Sequence, residues 1–257
     1  MEFVQSANTL FKFMDKEEYL LEILENRAFI PRYNDEDISY LEYGENKLIS
    51  IPMVCFCDIR LNKIEKHLEF YSNNGGYGIG LSKEWGINNG IQPLQYINKN
   101  GTLCKNLKEI FKVALQDSAD SNINTERYRD YLINNLVYLK PIRGIMTRGN
   151  EEVEKNFHDE QEWRYIPGGE ENEIKLFIGN EIKQKKEYYN KMLRREDMFG
   201  DLWLRFKFED IRYIIVPNEE SKDRIIDFIE HKLEIKMNSK IKLASKIITF
   251  SSIKGDV

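Results

Sequence analysis

The stretch Ile51–Ile97 limits the fold of this chain more than any other, because two short apolar runs, a polar turn and a pair of glycines follow one another closely within it. The first run, Ile51–Phe56, is rich in β-branched and aromatic residues and predicts a strand. Asp58 and Arg60 come directly after it, before a predicted helical turn at Leu61–Phe70. The strand therefore carries an acid and a guanidinium to its carboxyl end, where ligands often bind.

The second run, Tyr77–Leu81, follows the pair Gly75 and Gly76 and alternates larger side chains with Gly78 and Gly80. This alternation predicts a short strand with little side-chain cover. Bare backbone of this kind lets another chain segment or a flat ligand approach closely. We expect the rest of the chain to be arranged around these two strands.

The length and composition indicate one elaborated domain, residues 1–257, with an insertion at residues 183–200. The 38 basic and 43 acidic residues give a formal charge of −5. That balance argues against a protein built for tight non-specific binding to nucleic acid, but it leaves room for a local basic groove. No apolar run approaches the ~20 residues of a bilayer-spanning helix, and no signal-peptide pattern follows Met1. We therefore expect a cytoplasmic protein with no membrane partner.

The three cysteines, an odd number, are typical of a reducing compartment. On a strand, the thiols of Cys55 and Cys57 would share one face, and a metal site with Cys104 and His67 is conceivable. The familiar zinc motifs place about two to four residues between paired cysteines, however, whereas a single residue separates this pair. We expect buried, inert thiols and no metal.

The predicted elements indicate an α+β fold in which helices flank a curved, mixed or antiparallel central sheet. Besides the two strands above, we predict strands at Leu10–Phe13, Ala28–Tyr33, Leu139–Met146, Asp201–Phe208, Ile211–Val216 and Lys242–Phe250, and a hairpin pairing Tyr40–Tyr43 with Lys47–Ile51. We predict helices from Asp15 to Asn26, at Asn106–Ala114 and Thr125–Tyr138, and at Ser221–Lys232 opened by a Ser221 cap. The last two strands and the helix between them form a βαβ-like closing unit. Arg148–Lys155 is predicted to be a charged, flexible segment.

A second informative motif lies at Phe157–Pro167, where alternation sends Glu162, Arg164 and Ile166 to one face of a strand. A carboxylate on a strand that faces a cleft is what hydroxyl activation or ribose recognition requires. An ordinary edge strand with a salt bridge between Glu162 and Arg164 explains the same pattern equally well.

The order of several motifs resembles the AbiGi family of bacterial abortive phage-resistance proteins, from about Leu10 to Phe250. The matching motifs are Ile51–Leu61 (IPMVCFCDIRL), His67, Tyr77–Gly86 (YGIGLSKEWG), Pro93–Ile97 (PLQYI) and Glu160–Ile166 (EQEWRYI). The resemblance implies a role in phage defence. It also implies a cognate toxin or antitoxin partner, because some systems of this kind contain a member as the antitoxin of a two-gene pair.

The order of strands is also similar, more faintly, to the plan of DarT-type ADP-ribosyltransferases, which modify nucleic acid with NAD. This resemblance implies that Glu162 is the catalytic glutamate and that Arg60 matches the arginine after the middle strand. Lys12 stands where such enzymes often have a histidine that touches the nicotinamide ribose. Tyr77 would supply an aromatic face for nicotinamide. The implied substrate is NAD, and the implied acceptor is a nucleic acid or a protein.

Such a reaction asks for a cation near the pyrophosphate and a glutamate that binds the ribose or deprotonates the acceptor, which suits Arg60 and Glu162. Asp58, Arg164 and His67 are further candidates. The structural alternatives are that Asp58 pairs with Arg60 or caps the following helix, and that His67 is packed beside its helical neighbours.

Two classes of function stay open on the sequence alone. One is a defence effector that transfers ADP-ribose or otherwise cleaves NAD. The other is a non-catalytic antitoxin or immunity protein that binds a partner toxin. A nuclease is less well supported, because no tight group of carboxylates has metal-binding spacing.

Overall fold

The computed structural model describes residues 6–42, 47–71, 76–116, 131–148, 151–168, 177–178 and 181–254. The chain divides into two compact units, each assembled from separate stretches of sequence. Unit 1 comprises Met1–Ile30, Cys55–Ile91 and Trp203–Val257, and unit 2 comprises Pro31–Val54 and Gln92–Leu202.

The strands are β1 Thr9–Met14, β2 Ala28–Phe29, β3 Arg32–Asp37, β4 Leu48–Cys57, β5 Tyr77–Ser82, β6 Gln92–Pro93, β7 Gln95–Ile97, β8 Leu139–Pro141, β9 Arg143–Arg148, β10 Glu151–Asn156, β11 Glu162–Tyr165, β12 Phe177–Ile178, β13 Leu204–Arg205, β14 Ile211–Val216 and β15 Ile247–Thr249. The α-helices are α1 Glu17–Asn26, α2 Glu65–Tyr71, α3 Lys83–Asn88, α4 Thr102–Gln116, α5 131–136, α6 Glu181–Leu193, α7 Glu196–Phe199, α8 Glu219–His231, α9 Met237–Ala244 and α10 Phe250–Ile253. Short 3-10 helices lie at Ser39–Leu41, Leu61–Lys63, Phe157–Glu160 and Gly200–Leu202.

The sheet of unit 1 is mixed. Strand β5 pairs antiparallel with β1 on one side and with β14 on the other, and β14 pairs parallel with β15. Strand β1 also pairs antiparallel with the end of β4, where Phe11 lies opposite Cys57. Because helices and a mixed sheet occur in one unit, the predicted α+β class is confirmed. The predicted closing βαβ order is found as well, with β15 parallel to β14, although two helices, α8 and α9, lie between them.

The glycines of β5 make room for aromatic rings of the neighbouring strand. Phe11 lies opposite Gly80 and Phe13 opposite Gly78 in the antiparallel ladder. A Cβ atom on Gly80 would meet Cε1 of Phe11 at 2.7 Å, and one on Gly78 would meet Cδ1 of Phe13 at 3.1 Å. The close approach that the glycine pattern predicts is therefore filled by the chain's own rings.

One face of the unit 1 sheet carries an apolar core. The rings of Phe11 and Phe13 stack with centroids 5.8 Å apart, and they pack with apolar residues from the segment that follows β4 and from α2, including Ile59, Ile64 and Leu68. Burial of these side chains is the main stabilising contribution in this part of the fold.

Helix boundaries differ slightly from those predicted. Helix α1 begins after Lys16, which makes no side-chain cap bond, rather than after Asp15. It ends at Asn26 as predicted, and the capping residue Arg27 that follows has a left-handed φ of 49°. Helix α8 is capped by Asn218 rather than by Ser221, because Oδ1 of Asn218 accepts a hydrogen bond from the Ser221 N–H at 3.0 Å.

In unit 2, β4 is flanked by antiparallel partners, with β3 pairing from Arg32 opposite Met53 to Asp37 opposite Leu48, and β12 pairing through Phe177 and Ile178. Strand β11 pairs antiparallel with β6, and β7 pairs parallel with β8. Strands β9 and β10 form a separate hairpin.

The hairpin predicted from Tyr40–Tyr43 and Lys47–Ile51 is wrong where it can be compared, since residues 43–46 lie outside the described part of the chain. Oδ1 of Asp37 accepts a hydrogen bond from the Ser39 N–H at 2.8 Å, which starts a turn and a 3-10 helix instead of a strand. The actual partner of β4 on this side is β3.

Three further stretches differ from the predictions because tertiary packing overrides local patterns. Arg148–Lys155 was predicted to be flexible because it is highly charged. Most of it instead belongs to the β9–β10 hairpin, in which six pairs of residues lie opposite one another. In Asp201–Phe208 only Leu204 and Arg205 form a strand, and the aromatic side chains are buried without one. Most of Lys242–Phe250 is divided between the end of α9 and the short strand β15.

Candidate functional site

Glu162 lies at the start of β11 in unit 2 and is 4% exposed. Its Oε1 accepts hydrogen bonds from Nε and Nη2 of Arg164, at 3.1 and 2.9 Å. Its Oε2 accepts from Nζ of Lys140 at 2.7 Å. The alternation predicted for this motif is confirmed, because Glu162 and Arg164 are both buried while Trp163 and Tyr165 are partly exposed.

Arg164 is completely buried, at 0% exposure, and its guanidinium binds three different groups. Besides Glu162, it donates from Nη2 to Oε1 of Glu36 at 2.8 Å and from Nη1 to the backbone carbonyl of Val137 at 2.5 Å. A buried guanidinium is stable only when its donors are satisfied in this way. Arg164 therefore fixes β3, β11 and the turn before β8 to one another.

Lys140, in β8, is the second cation of the network. Besides its hydrogen bond to Glu162, its Nζ lies 3.8 Å from carboxylate oxygens of both Glu36 and Glu160, and 4.8 Å from the centre of the Phe157 ring. Burial alone would lower the pKa of Lys140, but the carboxylates of Glu162, Glu36 and Glu160 together outweigh it and raise the pKa above its ordinary value. Lys140 therefore stays charged at neutral pH.

The network is close to neutral because a third cation joins it: Lys155 donates to Oε1 of Glu160 at 2.5 Å. Three carboxylates (Glu36, Glu160, Glu162) thus face three cations (Lys140, Lys155, Arg164).

Backbone contacts hold Glu162 in place as well. Its N–H donates to the hydroxyl oxygen of Tyr96 at 2.8 Å, and its carbonyl accepts from the Leu94 N–H at 3.0 Å. Burial raises the pKa of Tyr96, so that its hydroxyl keeps its proton at neutral pH. The side chain and main chain of Glu162 are therefore both held in place.

The hydrogen bonds of Glu162 limit what its carboxylate can do. Each carboxylate oxygen offers about two lone-pair sites. Oε1 accepts from both Nε and Nη2 of Arg164, and Oε2 accepts from Nζ of Lys140. Both carboxylate oxygens are therefore engaged by cations of the network, and a further donor, such as a ribose or acceptor hydroxyl, would have to share them.

Arg60 belongs to unit 1 and Glu162 to unit 2. Arg60 is exposed and precedes the 3-10 helix Leu61–Lys63. Asp58, by contrast, is 7% exposed and its Oδ2 accepts from Nζ of Lys83 at 2.6 Å. Lys83 also donates to Ser6 at 2.8 Å, and Oδ1 of Asp58 is buried without a hydrogen-bond partner among the described residues. Asp58 was expected to pair with Arg60 or to cap the following helix, but its ion-pair partner is Lys83.

Lys12 and Tyr77, the residues expected to touch NAD, lie on adjacent strands of unit 1. Lys12 is half-buried opposite Ile79. Tyr77 is buried, and its hydroxyl donates to Oε2 of Glu17 at 2.9 Å and lies 3.2 Å from the Ser221 hydroxyl. The predicted roles of Lys12 and Tyr77 toward NAD stay predictions.

His67 is half-buried on α2, where its ring stacks on Phe13 with centroids 6.1 Å apart. This contact agrees with the packed alternative for His67. Cys55 and Cys57 are half-buried cysteines of unit 1 outside any disulfide, and Cys104 is a buried cysteine of unit 2 whose thiol donates weakly to the Tyr40 carbonyl at 3.7 Å. No group of three potential ligands from His, Cys, Asp and Glu is placed to hold a metal in the described ranges.

Sequence reasoning missed three residues that complete these clusters: Glu36, Lys140 and Lys83. Glu36 lies in a short acidic run, Asp35–Asp37, whose composition favours a solvent-exposed position, and Lys140 lies in a predicted strand with no sign that it points inward. Lys83 is part of the YGIGLSKEWG motif, and a lysine between two apolar runs was the available signal for a buried cation.

The comparisons with known proteins identify the family. A family model described as "Putative abortive phage resistance protein AbiGi, antitoxin" matches residues 27–217. "Abortive phage resistance protein AbiGi" from Lactococcus lactis subsp. cremoris is 35% identical over 250 residues, which cover 89% of this chain and 99% of that relative. The chain belongs to the AbiGi family. No solved structure matches it.

The AbiGi resemblance expected from the motifs is therefore confirmed, and the family assigns the chain to anti-phage defence. The fainter likeness to ADP-ribosyltransferases stays a prediction. Among the described helices, none combines the length and apolar character needed to cross a membrane.

Replacing Arg164 with methionine is expected to destabilise the protein by about 3–5 kcal/mol, because Glu162 and Glu36 lose a buried cation while their own burial persists. Urea unfolding followed by circular dichroism measures the change. The matched control is Arg195→Met, since Arg195 and Asp197 form an exposed pair at 2.9 Å and should contribute almost nothing. Equal midpoints for the two variants would contradict the role of Arg164.

The ion pair of Glu17 and Arg224, beside Tyr77, is expected to make the free energy of unfolding depend on pH in the acid range. Hydrogen bonds from Arg224 lower the pKa of Glu17 most, burial opposes this, and the Tyr77 hydroxyl lowers it further, so the folded pKa lies below the ordinary 4.5. The contribution of Glu17 is therefore fully present above about pH 4.5 and is lost as the pH falls through its folded pKa.

Accordingly, Glu17→Gln should be less stable than the wild type at pH 7, and the difference should shrink as the pH falls below about 4.5. Thermal melts across this pH range measure the trend. Glu18→Gln, an exposed neighbour on the same helix, should show no such convergence. A difference for Glu17→Gln that is constant with pH would refute the linkage.

Proposed function

We propose that this chain is the antitoxin of an abortive infection system and acts by binding a partner toxin protein. The family description supports this reading because it names the family an antitoxin. The structural observation that carries the proposal is an apolar edge of α4 that the rest of unit 2 leaves exposed.

Helix α4 has a broad apolar face, only one edge of which is buried. Cys104 and Phe111, seven residues apart, are buried against unit 2. Leu103 and Ile110, also seven residues apart, lie on the adjacent edge and are 47% and 38% exposed. Leu107, which lies between them at helical spacing, is partly exposed.

The contacts of α4 fix which edge faces outward. Lys108 donates to Oε1 of Glu42 at 2.5 Å, and Cys104 lies against the Tyr40 carbonyl, so the helix is held from this side. The polar side carries the exposed Lys105 and Lys112. An apolar stripe with leucine and isoleucine at i, i+4 and i+7 is the pattern by which helices dock into apolar grooves.

We infer that an apolar groove or helix of the toxin packs against the exposed apolar edge of α4. Exposed side chains at a few positions of one helix are too few for a large obligate interface, but they suit the central anchors of a smaller one. Binding would remove Leu103, Leu107 and Ile110 from water, which is favourable by about 25 cal/mol for each Å² of apolar surface.

The experiment co-expresses the chain with each gene that flanks its own gene in the source genome. One of these genes should arrest growth alone, and the wild-type chain should restore growth and co-purify with its product. The double variant Leu103→Gln, Ile110→Gln should fail to restore growth and should bind at least about tenfold more weakly, because interface anchors carry most of the binding energy.

The double variant Lys105→Gln, Lys112→Gln changes the polar side of the same helix and serves as the matched control. It should restore growth like the wild type. Both double variants should melt near the wild-type temperature, since the altered side chains are exposed. The proposal would be contradicted if the Leu103→Gln, Ile110→Gln variant restored growth. It would also be contradicted if the wild type formed no complex with either gene product.

We propose, as a second candidate, an NAD-using activity in which Glu162 engages a ribose or acceptor hydroxyl. The buried position of Glu162 at the start of a strand, beside the cations Lys140 and Arg164, supports this role. Arg60, Lys12 and Tyr77 would then bind NAD, with Asp58, His67 and Arg164 in supporting roles, and a nucleic acid or a protein would be the acceptor.

This candidate predicts that the pure protein releases nicotinamide from NAD, alone or with nucleic acid or partner protein added, and that Glu162→Gln abolishes the release. Chromatography of free nicotinamide measures the reaction. Because Glu162→Gln also weakens a buried network, Glu160→Gln serves as a matched control that alters the same network and should keep the activity. No release from the wild type under any of these conditions would rule the candidate out.

A further inference from the structure

A charged groove of about 370 Å³ lies on unit 2 between α6 and β3. Its volume falls within the range of small-ligand sites. The sequence around α6 is strongly basic, because residues 183–195 contain six lysines and arginines and a single acid. This concentration stands out in a chain whose formal charge is −5.

The side chains that line the groove have a positive surplus. Two arginines and two lysines line it, together with two acids, Asp35 and Glu187. Both acids already accept from lysines of the groove: Asp35 from Lys186 at 2.8 Å and Glu187 from Lys191 at 3.0 Å. The acidic groups therefore neutralise part of the field, and the net charge of the lining favours an anion.

An asparagine in the groove is held so that it presents a donor. Oδ1 of Asn190 accepts a hydrogen bond from the Tyr33 N–H at 2.7 Å. Because Oδ1 accepts from Tyr33, the orientation of the amide is fixed, and its NH₂ group can donate to a ligand in the groove. Together with the lysines and arginines, it makes the groove a surface of hydrogen-bond donors, which suits the oxygens of an anion.

The cations are arranged in a line rather than around a point. Lys186 and Lys191 line the groove from α6 and Arg194 lines it from the turn that follows the helix, and a helix rises about 12 Å over eight residues. Arg32 adds a fourth cation from β3. An array of this length is more than one phosphate needs, and it fits several charges along an extended chain.

An exposed aromatic ring lies next to this line. Tyr188 is 61% exposed and precedes Lys191 by three residues, so the two side chains are neighbours on the helix surface. Tyr189 supports it edge-on, with ring centroids 5.4 Å apart, and Tyr189 in turn packs against Tyr33. A basic line beside a supported aromatic ring is the arrangement on which single-stranded nucleic acids bind, with phosphates on the cations and a base on the ring.

We propose that the α6–β3 groove of unit 2 binds single-stranded nucleic acid through its phosphodiester backbone, with one base stacked on Tyr188. An acidic protein segment would satisfy the same cations, but it would make no use of the exposed ring. The groove lies on a different helix from the α4 edge, and the proposal does not depend on toxin binding.

The test measures fluorescence anisotropy of labelled single-stranded RNA and DNA of about 12 nucleotides, from about 50 to about 200 mM salt. The wild type should bind, and its affinity should fall steeply with salt. The triple variant Arg32→Gln, Lys191→Gln, Arg194→Gln should bind at least about tenfold more weakly, and its slope of log affinity against log salt should be smaller by about 2. Tyr188→Ala should weaken binding without changing that slope.

The matched control is Lys99→Gln, Lys105→Gln, Lys112→Gln, which removes the same charge from exposed positions of unit 2 outside the groove. It should bind within about twofold of the wild type. Three results would each overturn the proposal: no binding by the wild type at low salt, equal losses in the two triple variants, or binding of a labelled poly-glutamate peptide as tight as that of the nucleic acids.

Discussion

Unit 2 depends on the pairing of charges that have left water. Arg164 is completely buried, and the cost of removing a guanidinium from water is met only because Glu162, Glu36 and the Val137 carbonyl all accept from it. These groups come from distant parts of the chain. A change in the register of β11 by one residue would turn Glu162 and Arg164 together to the opposite face, away from Glu36, Lys140 and the Val137 carbonyl. The network therefore selects one arrangement of the strands.

Unit 1 has the same constraint in a smaller form. Lys83 is 1% exposed and is held by Asp58 and Ser6, while one oxygen of Asp58 is buried without a partner among the described residues. A buried acceptor that lacks a donor costs about 1–3 kcal/mol. The apolar packing around Phe11 and Phe13 must therefore offset this cost, and the glycines of β5 are what let those rings lie close to the neighbouring strand.

Periodicity predicted the elements whose local pattern agrees with their packing. Strand β14 was predicted to the residue and helix α8 nearly so, and alternation placed Glu162 and Arg164 on one face, with their pairing as one of two interpretations. Two other members of the network were not predictable, since Glu36 contacts Arg164 and Lys140 contacts Glu162 across long sequence distances. The same holds for Lys83, whose partner Asp58 lies 25 residues earlier. Patterns within one element carry no information on such contacts.

The energetics of Glu162 and of α4 also bear on which function is easier for this fold to perform. To serve a reaction, Glu162 must accept a new donor while Lys140 and Arg164 stay paired, because loss of either pairing would leave a buried charge uncompensated. Its chemistry is thus limited by the cations that already hold both of its carboxylate oxygens. The exposed leucine and isoleucine of α4 carry no such restriction, since covering them with a partner breaks no contact and removes apolar surface from water. Binding therefore uses the structure as it stands, whereas catalysis would have to add to a network that is already satisfied.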